Sequence, residues 1–172
     1  MAESYELDPV DWITAGAVGD PGRRTFYVQA RRGVDVVAIA VEKVQVSALA
    51  QLAQQLLARI GVEVKPDDLD AGRMRLLEPV MPAWRAGSMS LGMDEDGARF
   101  LLEAEELVDD EVEGGGQARF WLTRDQLVAL AAHAVFAVEA GARDRCYLCS
   151  RPIDPVEGHV CPASNGHGPL TV

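Results

Sequence analysis

No apolar run in this 172-residue sequence approaches the length needed to cross a bilayer, roughly 20 residues. A helical membrane anchor is therefore not expected. Cysteine and histidine are scarce, at three residues each. Three cysteines is an odd number, and all sit near the C-terminal end; a disulfide framework uses an even, spread set. Basic residues are outnumbered: 16 Lys and Arg stand against 27 Asp and Glu, a formal net charge of −11. That balance repels a phosphate backbone and disfavours a free-standing nucleic-acid binder. Short enzyme motifs are missing too. There is no GxSxG, no phosphate loop, no GxGxxG, and no H-x-E paired with P-C-x-x-C. The opening residues, Met1-Ala2-Glu3-Ser4-Tyr5-Glu6, are polar and acidic and lack the basic start and apolar core of a secretion signal. The expected address is the cytoplasm, where thiols stay reduced.

Hydrophobic residues make up 48% of the chain and charged residues 25%, enough for a real core. Patterning predicts where that core comes from. Tyr5 to Leu7 alternates briefly and reads as a short strand. Trp12 to Val18 reads as a strand, and Gly19-Asp20-Pro21-Gly22 as a turn. Thr25 to Ala30 is rich in aromatic and β-branched residues and returns as a strand. Val34 to Val41 is nearly all apolar, as a central strand is. Val46, Leu49, Ala53, Leu56, Leu57 and Ile60 then recur at helical spacing, and Gly61 closes that helix. Residues 62–82, with Pro66, Pro79 and Pro82, read as a linker. Trp84 to Met93 and Ala98 to Glu105 read as a hairpin around the acidic turn Asp94-Glu95-Asp96-Gly97. A glycine-rich tip follows, and then a strand over Gln117 to Leu122. Thr123 and Gln126 have capping-box spacing before a second helix, whose inner face is Leu127, Leu130, Ala131, Ala134 and Val138 and whose stop is Gly141.

With the short strand Tyr5 to Leu7 set aside, the order strand, strand, strand, helix occurs twice. Local text agrees in part: Val41-Glu42-Lys43-Val44-Gln45-Val46 aligns with Leu122-Thr123-Arg124-Asp125-Gln126-Leu127. One such unit alone buries too little apolar surface to be stable. The expected fold is α+β: two β-β-β-α units forming an internal duplication, with an antiparallel sheet and two long helices, plus a C-terminal zinc knuckle. The expected boundaries are residues 1–61 and 83–142 for the units, 62–82 for the linker and 143–172 for the metal-binding tail.

That tail holds the strongest chemical signal. Cys146 and Cys149 form a Cys-x-x-Cys half-site, two thiols on one tight turn. His159 and Cys161 are two apart, so on extended backbone both face one side. Together they supply the four ligands of a closed structural zinc site, with His167 as the alternative imidazole. A thioredoxin-like pair would instead open a helix after a strand; here the pair follows a helix and precedes prolines. Elsewhere the default readings apply. His133, near the inner face of the second helix, is a satisfied or boundary histidine, Trp12, Trp84 and Trp121 are core residues, and the pairs Arg23-Arg24, Arg31-Arg32 and Arg143 with Arg145 are surface arginines near acidic partners.

Four stretches in order carry a family resemblance: Gly19-Asp20-Pro21-Gly22-Arg23-Arg24-Thr25-Phe26, Val41-Glu42-Lys43-Val44-Gln45-Val46, Arg85-Ala86-Gly87-Ser88-Met89, and Cys146-x-x-Cys149 through Gly158-His159-Val160-Cys161-Pro162. They resemble the bacterial family named domain of unknown function 3090, over almost the whole chain. The family's CxxC and HxCP pattern implies Cys146, Cys149, His159 and Cys161 as the ligands; it has a tyrosine where this chain has His167. Its Pro-Gly-Arg-Arg-Thr pattern implies Arg23 and Arg24 as contacts for an anionic group. Its genes lie beside a histidine-phosphatase-like and a kinase-like protein, which implies a protein partner of that kind or a phosphorylated ligand. The reading these features favour is a cytoplasmic, non-catalytic interaction or adaptor protein with structural zinc. The alternative is an enzyme acting on a phosphorylated or otherwise anionic small molecule, with Glu42 and Lys43 as catalytic candidates. A deep pocket joining Arg23, Glu42 and the metal would favour the enzyme.

Overall fold

The computed structural model of the chain describes residues 3–20, 22–70, 72, 75–109, 114–140, 146, 148–149, 151, 153 and 158–163. Gly141, Arg143, Arg145, His167 and the centre of the glycine-rich tip, residues 110–113, lie outside the described residues. The strands are β1 (Tyr5–Leu7), β2 (Trp12–Val18), β3 (Thr25–Arg32), β4 (Asp35–Val41), β5 (Trp84–Met93), β6 (Arg99–Glu106) and β7 (Gln117–Thr123). The helices are α1 (Lys43–Arg59) and α2 (Arg124–Ala140), and a single 3₁₀ turn covers Pro66–Asp68.

Turn chemistry sets the hairpins. Gly19 and Gly22 adopt positive φ between β2 and β3, where the Arg23 N–H donates to Asp20 O. Between β5 and β6 the Asp94 carboxylate accepts the N–H groups of Ala98 and Arg99, which makes the acidic stretch an ordinary hairpin turn. Both helices start on a glutamine that folds back. The Glu42 N–H donates to Gln45 Oε1 at 2.7 Å. At α2 the Thr123 N–H donates to Gln126 Oε1 while the Gln126 N–H donates to Thr123 Oγ1, the reciprocal box the spacing predicts.

The strands form one seven-stranded sheet in the order β1-β7-β6-β5-β4-β3-β2. The expectation of an antiparallel sheet needs correction: the sheet is mixed, because β4 runs parallel to β5 and β1 parallel to β7. The physical reason at the centre is the connection. β4 leads through α1 and residues 60–83 back to β5, and a helical crossover returns the chain in the same direction, where a hairpin would reverse it. At the edge, β1 arrives from the other end of the chain, so no hairpin dictates its direction.

The sheet also curls. Its outer strands, β1 and β2, are joined by residues 8–11 alone. Five Cα steps reach about 18 Å at most, whereas six strand spacings in a flat sheet amount to about 29 Å. The connection is pinned at both ends: the Val10 N–H donates to Trp121 O of β7 and the Asp11 N–H to Arg31 O of β3. The two edges therefore meet at this corner.

One hydrophobic core draws on both halves, with Val28, Ile39 and Leu57 packed in the same cluster as Phe100, Phe120 and Leu130. β6 and β7 alternate strictly, with Phe100, Leu102, Ala118 and Phe120 inward. The sheet around β2–β4 is buried on both faces. On its outer side the buried Gln29 side chain bonds both the N–H and the carbonyl of Leu77. Residues 75–78, within the predicted linker, therefore cover that face. Gly16 makes room for them, since a Cβ there would lie 2.9 Å from Leu76 Cγ. The helices pack on each other, and each also reaches a strand of the opposite half, α1 on β5 and α2 on β2.

Candidate metal centre

Cys146, Cys149, His159 and Cys161 come together after α2, with their four ligand atoms all within 4.8 Å of one another. The Cys146 N–H donates to Arg151 O at 2.9 Å, closing the turn that carries both Cys-x-x-Cys sulfurs. Cys146 and Cys161 are buried, and with Ile153 they form a small cluster separate from the main core. Their sulfurs are 3.6 Å apart, far beyond a disulfide bond of about 2.05 Å. None of the three cysteines is in a disulfide. A tetrahedral ion with metal–sulfur bonds of about 2.3 Å holds its sulfurs about 3.8 Å apart, so this spacing already suits one. Cys149 Sγ and His159 Nε2 stand at 2.9 Å, and an ion would part them by about 0.7 Å.

The electrostatics differ between the sulfurs. Burial pushes the Cys146 thiol up, but hydrogen bonds from the backbone of Cys149 and Leu148 and from the neighbouring thiols outweigh it and leave it below its ordinary value. Amides aimed at a sulfur favour the thiolate that a metal needs. Burial raises the Cys149 thiol, and Cys161 and Cys146 beside it add to the rise. The residues present thus fit one closed, four-coordinate metal site, three sulfurs and one imidazole. His167 lies outside the described residues.

The other sequence candidates are dispersed. Arg23 is exposed at the β2–β3 turn. Arg24 Nε donates to Gly19 O at 2.9 Å and Nη1 to Ala140 O at 2.8 Å, so its guanidinium ties that turn to the end of α2. Glu42 precedes α1 and pairs with Arg85; Lys43 is the first residue of the helix. A cavity of about 680 Å³ opens beside Arg24 between β2, Leu69, residues 75–78 and the last turn of α2, and neither Glu42, Lys43 nor any of the four clustered residues lines it. Of the tryptophans only Trp84 is buried. Trp121 instead faces outward under the Arg99 guanidinium, 4.5 Å from its ring centroid.

His133 is a buried histidine, not a boundary one, and only one of its two ring nitrogens is satisfied. It is fully buried, with Nδ1 2.9 Å from Thr14 Oγ1. Sequence reasoning also passed over Arg75, Leu69 and Phe136 in the cavity wall. The available signal was Phe136 itself, a large apolar residue off the inner stripe of α2. Among the described residues no helix is long and apolar enough to cross a membrane.

No curated protein and no solved structure matches the chain. Residues 5–161 match the family described as "Protein of unknown function (DUF3090)", a span that takes in both halves of the sheet, both helices and all four clustered ligands, and the chain belongs to that family.

Proposed function

We propose that this protein is a cytoplasmic, non-catalytic interaction module whose C-terminal cluster holds structural zinc. The observation that carries the reading is the convergence of four ligand atoms within 4.8 Å. Three thiolates and an imidazole in tetrahedral reach suit zinc better than a hard cation. Four protein ligands leave no open position for a reacting water, which favours a structural role. The metal would order a segment whose own apolar cluster, Cys146, Ile153 and Cys161, is too small to fold unaided.

The outward face of β5, β6, β7 and β1 is the surface offered to a protein partner, the histidine-phosphatase-like or kinase-like kind that the family resemblance implies. It carries Ser88 bonded to Glu105, Arg119 between Glu103 and Glu6, and Arg99 over Trp121. The net charge of −11 argues against nucleic acid as that partner. With β1 set aside, β2–β4 followed by α1 and β5–β7 followed by α2 repeat one order, which supports an origin of the two halves in one duplicated unit. The enzyme alternative has less support, since Glu42 is engaged by Arg85 and the cavity beside Arg24 is lined by neither Glu42 nor Arg23 nor any of the four clustered residues.

Metal analysis of the purified protein tests the site. About one zinc per chain is expected in the wild type, and Cys149→Ser should lose it. A wild type that carries no metal defeats the proposal. Co-purification from the native cell tests the interaction role, which fails if the chain elutes alone under conditions that preserve neighbouring complexes.

A further inference from the structure

We infer that the cavity beside Arg24 is a binding site for a small molecule carrying one carboxylate on an apolar body. The inference develops the anion-contact reading of Arg24 and is independent of the metal. At about 680 Å³ the cavity falls inside the usual range for ligand sites, about 300–1,000 Å³. Its inner wall is the small-residue run Ala15-Gly16-Ala17 of β2, and Leu69, Leu76 and Phe136 close its sides. Those residues offer an aliphatic or aromatic body a dry surface. Phe136 is 46% exposed and Val18, also in the wall, 43%. A bound apolar group would remove both from water.

The charged groups converge on the same opening. Arg24 and Arg75 both line it. Arg24 is held in place through Nε and Nη1 by the carbonyls of Gly19 and Ala140. Two of its five N–H donors are used there, so the guanidinium is oriented in advance and keeps donors to give. Arg75 is exposed and makes no ion pair or hydrogen bond among the described residues. Glu78 lines the cavity too, in a chain of net charge −11. Those negative charges oppose a dianion and select a ligand with a single charge.

A buried polar pair lies close in sequence to two wall residues. His133 lies one helical turn before Ala137, and Thr14 two residues before Gly16, so each shares a face with a residue of the wall. The two side chains bond each other at 2.9 Å, and His133 Nε2 is buried without a partner. Neither residue lines the cavity, so this pair stands behind the wall and the ligand contacts rest on Arg24, Arg75 and the apolar lining.

Decanoate titrated into the full-length protein, followed by calorimetry and by backbone amide shifts, tests this. Saturable binding below millimolar concentration is expected, with shifts at Gly16, Ala17, Phe136 and Ala137. Decanol should bind about tenfold more weakly or worse, and Arg75→Glu and Phe136→Asp should each weaken decanoate by about tenfold or more. Both substitutions are at exposed positions, and the shift map reports whether each variant is folded. The proposal is overturned by absence of saturable binding, by decanol binding as tightly as decanoate, or by affinity that ignores both substitutions. Metal content measured alongside separates the two readings. Decanoate bound by a metal-free Cys149→Ser protein leaves this site standing, and full metal content without decanoate binding removes it alone.

Discussion

Among the described residues, His133 Nε2 is the buried side-chain atom left without a hydrogen bond. Burial lowers the pKa of this histidine, and the charge of Asp70 only partly opposes the shift. The folded chain therefore holds it neutral, with Nδ1 against Thr14. The unfolded chain titrates it near 6.5. As pH falls through that value the unfolded state gains a proton that the folded state refuses, so stability drops until the lower folded pKa is reached and is intact above about pH 6.5. Wild type and His133→Gln compared by thermal melting from pH 7.5 to 5.5 should diverge, with the wild type losing up to about 1.4 kcal/mol more per pH unit inside the window. Parallel pH profiles would refute the assignment. The residues of the metal cluster were readable in the sequence because Cys-x-x-Cys and His-x-Cys are short-range geometry. His133 was not, because its partner Thr14 is 119 positions away.

Elements are held by caps and close approaches that differ in how visible they are. The Thr123–Gln126 box is written locally, and Thr123→Ala should cost about 1 kcal/mol while Thr123→Ser keeps most of it, as chemical denaturation would measure. Gly116 has no such local signature. It stands at the start of β7, where a Cβ would meet Glu3 O at 2.5 Å and Trp84 Nε1 at 2.6 Å. Those two atoms form the hydrogen bond that fastens the N-terminal segment to β5. Gly116→Ala should destabilise by about 1–3 kcal/mol through that crowding. Gly92→Ala, with nothing within 4 Å of the new Cβ, should be neutral or slightly stabilising. Equal effects at the two positions would contradict the packing argument. The hairpins, both helices and the start of α2 were legible because turn residues and helical spacing act over a few positions. Arg24 shows the limit of such reading: its tie to Ala140 spans 116 positions, so an arginine that looks free in the sequence is partly occupied in the fold.

For the whole molecule the halves are interdependent. β1 pairs with β7, α1 packs on α2 and β5, and α2 packs on β2. Residues 1–61 expressed alone should lack cooperative unfolding and dispersed amide shifts, because their apolar faces lose the surfaces that cover them. A fragment with a sharp thermal transition would contradict this. The Cys/His cluster is different, since its buried residues form a group apart from the main core. Chelation or Cys149→Ser should release the C-terminal segment to proteolysis and leave the main unfolding transition within about 1 kcal/mol of wild type.

By itself the sequence determined the elements, the hairpin turns, the helix caps, the α+β class and the four clustered ligands, since each depends on residues a few positions apart or on a simple period. Only the tertiary structure decided the parallel pairings of β1 with β7 and β4 with β5, the curl that brings the sheet's edges together, the use of residues 75–78 as a cover, and the cavity between β2 and α2. Each of these joins segments far apart in the chain, and their meeting is set by which apolar faces can be buried together.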